Sequence, residues 1–180
     1  SALPLENPNH PELLFAKQNG IRTSKRDECL NEILAAKELN MIAAAGTHGK
    51  TTTTAMLVWL FLQQHKPLSY SVGAKISFGD MGHYEPTSTF FAYECDEFDK
   101  NFLQFNPSIS IISSVDWDHH EIYPTREEYI EAFRQFITQS GHTFLYSSDA
   151  EYLGVTDLSS VTVIKDDDAL INAISLAGAH

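Results

Sequence analysis

Residues 44–51 read Ala44-Ala45-Gly46-Thr47-His48-Gly49-Lys50-Thr51, preceded by Met41-Ile42-Ala43 and followed by Thr52-Thr53-Thr54 and the apolar run AMLVWLFL at 55–62. The first part is a short buried strand that stops at a glycine. The last part is long enough for a buried helix. Between them lies a loop close to G-x-x-x-x-G-K-[ST], with Ala44 where the first glycine of that pattern stands. Gly46 and Gly49 let the backbone curl so that successive N–H groups face an anion. The positive end of the helix that starts near Lys50 adds to that field. Lys50 supplies a point charge for β- and γ-phosphates, and Thr51 a hydroxyl for Mg²⁺. Gly46, Thr47, His48, Gly49, Lys50, Thr51 and Thr52 are the expected ATP-binding residues.

Outward from this loop, strand and helix patterns alternate. Pro11 to about Gln18 is a short helix ended by Asn19-Gly20, and Ser24 is expected to cap a second helix with Cys29, Leu30, Ile33 and Leu34 as its apolar stripe. A strand signal falls near 69–73, another at Phe90–Cys95, and a third at Ile109–Ser113, apolar on both faces and so expected at the centre of a parallel sheet. Thr125 caps a helix to about Thr138 with Tyr129, Ile130, Phe133, Phe136 and Ile137 inward; residues 143–146 and 161–164 are further strands. Trp59, Leu60, Phe61 and Leu62 are expected in the core. Asp166-Asp167-Asp168 reads as a helix cap. The fold class is α/β, with a mainly parallel sheet flanked by helices. Ligands of such sheets bind beyond the carboxyl ends of the strands.

Polar clusters sit at those ends. Glu94-Cys95-Asp96-Glu97-Phe98-Asp99 carries four carboxylates after one strand, and Glu94, which closes the apolar segment, is the expected Mg²⁺ ligand. Asp116-Trp117-Asp118-His119-His120 follows another strand. The two histidines are adjacent and cannot point the same way on an extended segment, so one is expected to be functional. No HExxH and no cysteine pair at zinc spacing is present.

Composition bounds the partners. Twenty-four acidic against twelve basic residues give a formal charge of −12 in 180 residues, which argues against a nucleic-acid partner and against adsorption to an anionic membrane. No apolar run reaches a membrane-spanning length, and Cys29 and Cys95 read as reduced thiols of a cytoplasmic protein.

Together the three stretches resemble the Mur ligases, ATP-dependent enzymes that build the peptidoglycan stem peptide. AAGTHGKTTTTAM is similar to that family's A-G-T-x-G-K-T-[ST]-T. ECDEFDKNFL resembles the E-A-D-E-x-D-x-x-F of the branch that adds L-alanine to UDP-N-acetylmuramate. VDWDHHEIYPT is similar to N-[IVL]-x-x-D-H-x-D-x-[YF]. SLAGAH resembles the start of a G-x-H-N motif, and residues 1–24 resemble the end of the family's N-terminal nucleotide-sugar domain. The resemblance implies a phosphate-loop NTPase-like central domain over 40–180, truncated. It implies a remnant of the UDP-sugar-binding domain plus linker over 1–39, and no C-terminal domain. It implies ATP and Mg²⁺ as cofactors and UDP-N-acetylmuramate and L-alanine as substrates. Catalysis would fall to Lys50, Glu94 and His119, with Thr51, Glu94 and His119 on metal, and the fragment alone is expected to be inactive. Gly73, Lys75 and residues 76–86 are only candidates for the sugar site.

Some residues depart from the family pattern. Arg134 stands where several Mur ligases carry a carbamylated lysine, which favours the alanine-adding branch. Asp116 takes a place usually held by Glu. Phe98 and Trp117 are aromatic, as in the related ligase that recycles whole tripeptides. That ligase, and a phosphate-loop NTPase without ligase activity, are the alternative readings.

Overall fold

The computed structural model describes residues 7–165. The Asp166–Asp168 cap and the SLAGAH stretch lie outside them. The chain divides into two compact units, 1–38 and 39–180.

The first unit holds α1 (Pro11–Gln18) and α2 (Arg26–Ala36). Proline opens α1, and His10 Nδ1 accepts the Glu12 N–H at 3.4 Å. The cap of α2 differs from expectation. Lys25, not Ser24, precedes its first turn, because Glu28 reaches back and its Oε2 accepts the Lys25 N–H at 3.2 Å. Of the expected stripe only Leu34 is buried; Cys29 and Ile33 are exposed.

The second unit is a seven-stranded sheet: β1 (Asn40–Ala45), β2 (Ser69–Ser71), β3 (Gly82–His83), β4 (Phe90–Glu94), β5 (Ile109–Ile112), β6 (His142–Tyr146) and β7 (Val161–Ile164), in the order β3-β2-β4-β1-β5-β6-β7. Every pairing is parallel except β2 with the edge strand β3. The helices are α3 (Lys50–Gln63), α4 (Arg126–Gln139) and α5 (Ser147–Leu153). Strand β1 is central because Ala43, Ala44 and Ala45 need no room on either face; all three are fully buried. Strand β5 lies between β1 and β6, as its apolar sequence predicts. Its one polar residue, Ser110, is buried at 2.7 Å from the Thr143 hydroxyl of β6, so no polar atom is stranded there.

Register brings the site together. Ala44 of β1 pairs with Glu94 of β4, and Ala45 with Ile112 of β5, so three loops leave the sheet side by side. The chain passes from β4 to β5 across β1, which makes this edge a topological switch point.

One expected core segment is not core. On α3 the buried residues are Thr54 and Val58, with Phe61 packed beside them, whereas Trp59, Leu60 and Leu62 are 47%, 47% and 46% exposed. Successive residues turn by about 100° around a helix, so four in a row cannot all face one sheet. Helix α4 follows its pattern more closely. Thr125 Oγ1 accepts the Glu128 N–H at 3.2 Å, and Tyr129, Ala132, Phe133, Phe136 and Ile137 are buried. Phe102, on a 3-10 segment at Phe98–Gln104, stacks on Phe136 at 4.8 Å and meets Phe133 edge-on at 5.1 Å. This aromatic cluster pins the loop after β4 to α4. Replacing fully buried Phe133 by Ala should lower unfolding free energy by about 3–5 kcal/mol, read from the urea midpoint; a change under about 1 kcal/mol would rule out the cluster as an anchor.

Candidate functional site

The loop between β1 and α3 is fastened to the exit of β5. Ser114 O accepts the Thr47 N–H at 2.9 Å, and Ser114 Oγ accepts the His48 N–H at 2.9 Å. Ser113 Oγ, with one hydrogen to give, lies within hydrogen-bond reach of both Ala45 O at 3.1 Å and His48 O. Gly46, at φ +132°, is obligatory here, because a Cβ would lie 2.7 Å from Ser114 O. Gly49 is left-handed at the start of α3.

Thr47 carries the second fastening. Its hydroxyl donates to Asp116 O at 2.8 Å and accepts the Asp116 N–H at 2.8 Å, and it lies 2.7 Å from the Tyr129 hydroxyl. One donor and two acceptor positions are thereby filled. Tyr129 and Tyr123 pack edge to face at 4.9 Å. Burial, foremost, pushes both phenols well above their ordinary range, and the negative charge of Glu97 adds to this, so both remain O–H donors.

With the Thr47 and His48 amides spent on Ser114, the first-turn amides of α3, at Lys50, Thr51 and Thr52, are the ones without intrahelical partners. They sit where an anion would meet the helix dipole. Lys50 folds back over this mouth. Its ammonium donates to Gly46 O at 2.7 Å, Thr47 O at 3.4 Å and Glu97 Oε2 at 2.8 Å. Thr51 Oγ1 donates to Glu94 Oε1 at 2.8 Å, and Glu94 Oε2 accepts the Gly73 N–H at 2.8 Å. A Cβ at Gly73 would fall 2.6 Å from Glu94 Oε2, so a larger residue there would displace that carboxylate.

A divalent cation fits the Thr51–Glu94 pair. A hydroxyl and a carboxylate side by side are the hard oxygen donors that Mg²⁺ takes. Among the described residues no three of Asp, Glu, His and Cys converge as a ready cage. Mg²⁺ commonly takes one or two protein oxygens and fills the rest with water and phosphate.

His119 and His120 diverge. His120 packs on Trp117 at 4.3 Å between ring centres. His119 takes a left-handed backbone at φ +52°, lies edge-on to Phe98 at 5.3 Å, and brings Nε2 to 3.4 Å from Glu97 Oε1. The backbone N–H of His119, donated to Asp118 Oδ1 at 2.7 Å, holds that carboxyl below the usual range. Thus Thr51 meets Glu94, whereas His119 meets Glu97.

Glu97 is the residue that sequence reasoning passed over. It lies in the same acidic run as Glu94, yet it is fully buried and touches both Lys50 and His119. The only signal was its place three residues after Glu94; nothing local marks which carboxylate of the run turns inward. Beside the loop, a cleft of about 530 Å³ is lined by Ser113, Asp116, Trp117, Arg126 and Tyr152 among others. Arg126 lies over the Trp117 and Tyr152 rings at 5.8 and 5.9 Å.

The protein family described as the Mur ligase middle domain matches residues 44–161. The chain is 37% identical over 129 residues to the UDP-N-acetylmuramate–L-alanine ligase of Renibacterium salmoninarum, covering 72% of this chain and 27% of that protein. It is 35% identical over 175 residues to the enzyme of the same name from Porphyromonas gingivalis, covering 91% of this chain and 37% of that protein. In fold it is similar to the crystal structure of UDP-N-acetylmuramate–alanine ligase from Thermotoga maritima, with a TM-score of 0.73, 24% identity, and coverage of 88% of this chain and 36% of that one. The chain therefore spans between a quarter and two fifths of the relatives it matches.

Thr47→Val should strip Asp116 and Tyr129 of their shared partner and lower stability by about 1–3 kcal/mol, with Thr47→Ser restoring most of it. Equal denaturation midpoints for Val and Ser would show that the hydroxyl fastens nothing.

Proposed function

Since this chain belongs to the Mur ligase family, we propose that it is the ATP-binding part of a UDP-N-acetylmuramate–L-alanine ligase. Residues 40–180 form the central domain, and residues 1–39 are the end of a UDP-sugar-binding domain with its linker. The observation that carries the reading is the Thr51–Glu94 contact at 2.8 Å, set at the mouth of a lysine-bearing phosphate loop. The names of the curated relatives support L-alanine and UDP-N-acetylmuramate as substrates. Arg134, at the position of the carbamylated lysine of other branches, supports the same choice. Its Nε donates to Leu153 O at 2.6 Å, which ties it to α5. The enzyme would work in the cytoplasm, and among the described residues no helix is long and apolar enough to cross a membrane.

The reaction transfers the γ-phosphoryl group of ATP to the muramate carboxylate. A carboxylate oxygen forms the new P–O bond as the β–γ bridge breaks and ADP departs. The amine of L-alanine then attacks the acyl carbon, phosphate leaves with the C–O bond pair, and the amine loses its proton to solvent. Lys50 moves from its carbonyl partners onto the β- and γ-phosphates, and the first-turn amides of α3 hold the same oxygens. Gly46 and Gly49 shape that cradle, Thr47 and His48 bolt it to β5, and Thr52 carries one of the free amides. Thr51 and Glu94 would hold Mg²⁺, which neutralises charge building on the transferring group, and His119, which stands against Glu97, would serve a second metal site or contact the transferring group itself. Charge neutralisation and positioning account for most of the rate enhancement in phosphoryl transfer.

In the full-length protein, phosphate release should require ATP, UDP-N-acetylmuramate and L-alanine together. Lys50→Ala should cut it by about 100-fold or more with an unchanged unfolding midpoint. Wild-type turnover in that variant would remove the phosphate loop from the mechanism, and turnover with a free tripeptide in place of L-alanine would move the chain to the recycling branch. The 180-residue chain alone should ligate nothing.

A further inference from the structure

We propose that Glu97 is a positioning residue of this site: one carboxylate oxygen holds Lys50 and the other presents His119, so that the phosphate-binding cation and the imidazole are set against each other through one buried anion. The proposal rests on the phosphoryl-transfer reading of the same site.

Lys50 opens α3 after β1, and Glu97 and His119 come from the segments after β4 and β5. Glu97 touches both of the others. It has no solvent exposure, and a carboxylate without water must find its charge partners inside the protein. Oε2 has one in the Lys50 ammonium at 2.8 Å. Oε1 does not: it is buried with no hydrogen-bond donor in place, although His119 Nε2 stands only 3.4 Å away. At this separation the two atoms face each other without completing a hydrogen bond.

The loop is built to hold Glu97 at this spot. Its backbone carbonyl accepts the Tyr123 hydroxyl at 2.7 Å and the Lys100 N–H at 3.1 Å. Phe102, five residues on, is locked into the α4 aromatic cluster. Asp99 and Lys100 take left-handed backbone conformations at φ +54° and +58° to make the turn. A carboxylate that needed only solvation would need none of these ties.

Two consequences follow from the chemistry. All three ammonium hydrogens of Lys50 are spoken for, by Gly46 O, Thr47 O and Glu97, so incoming phosphates compete with Glu97 for the cation. And a neutral imidazole that donates its Nε2–H to a carboxylate keeps its proton on that nitrogen and turns the Nδ1 lone pair outward, as a histidine that must bind a cation or accept a proton requires.

The test uses Glu97→Gln in the full-length protein, an isostere that keeps the shape and loses the charge. Nitrogen-15 NMR of histidine-labelled wild type, with His119 assigned by its loss in His119→Asn, should show the Nε2–H tautomer. The Gln side-chain NH₂ should turn His119 to the Nδ1–H form. Binding of ATP, followed without turnover, should be unchanged or tighter, while kcat falls about 10- to 100-fold and the thermal midpoint is kept. A wild-type Nδ1–H tautomer, an unaltered His119 spectrum in Glu97→Gln, a kcat within twofold of wild type, or parallel losses of affinity, kcat and melting temperature would each overturn the proposal. If the wild-type protein ligates nothing, the substrate assignment fails, and the NMR and nucleotide titration still decide the role of Glu97.

Discussion

The Lys50–Glu97 pair is the constraint around which the site is organised. An ammonium whose side chain is only 15% exposed and a carboxylate that is not exposed at all can stand together only because each neutralises the other. Everything near them serves that closeness. The β1–β4 register brings their two loops out of the sheet side by side. Tyr123 and the Phe102 cluster fix the Glu97 turn from behind. Gly46 and Thr47 supply the carbonyls that share the remaining Lys50 hydrogens.

A second layer ties the loop to the other side of the sheet. Thr47, Ser113, Ser114 and Asp116 form a short hydrogen-bonded seam between the exits of β1 and β5, and Tyr129 of α4 closes it from below. The loop between β1 and α3 is therefore held from two neighbouring strands. Such a loop pays little ordering entropy on binding, and its free amides point at a site rather than wander.

Much of this was legible in the chain order of residues. Alternating apolar runs marked β1, β4, β5 and α4 to within one or two residues, because burial in a parallel sheet demands continuous apolar strands and an amphipathic helix demands a 3.6-residue period. The glycine spacing around Lys50 announced the tight turn between β1 and α3, because few other residues tolerate its φ angles. Other features were hidden. Trp59, Leu60 and Leu62 looked like core, but which face of α3 meets the sheet depends on where the helix is docked. Ser24 looked like a cap, but Glu28 did the work from the other direction.

Local sequence alone thus determined the α/β class, the tight glycine-bearing loop between β1 and α3 and the loops that surround it, since these rest on periodicity and on backbone conformations that single residues dictate. Tertiary structure decided which acid of the 94–99 run faces inward, which histidine of the adjacent pair meets it, and that Thr47 is a fastener as well as a loop residue. Those choices depend on contacts between residues 22 to 82 positions apart in the chain, brought together by sheet register and helix docking, which no local pattern encodes.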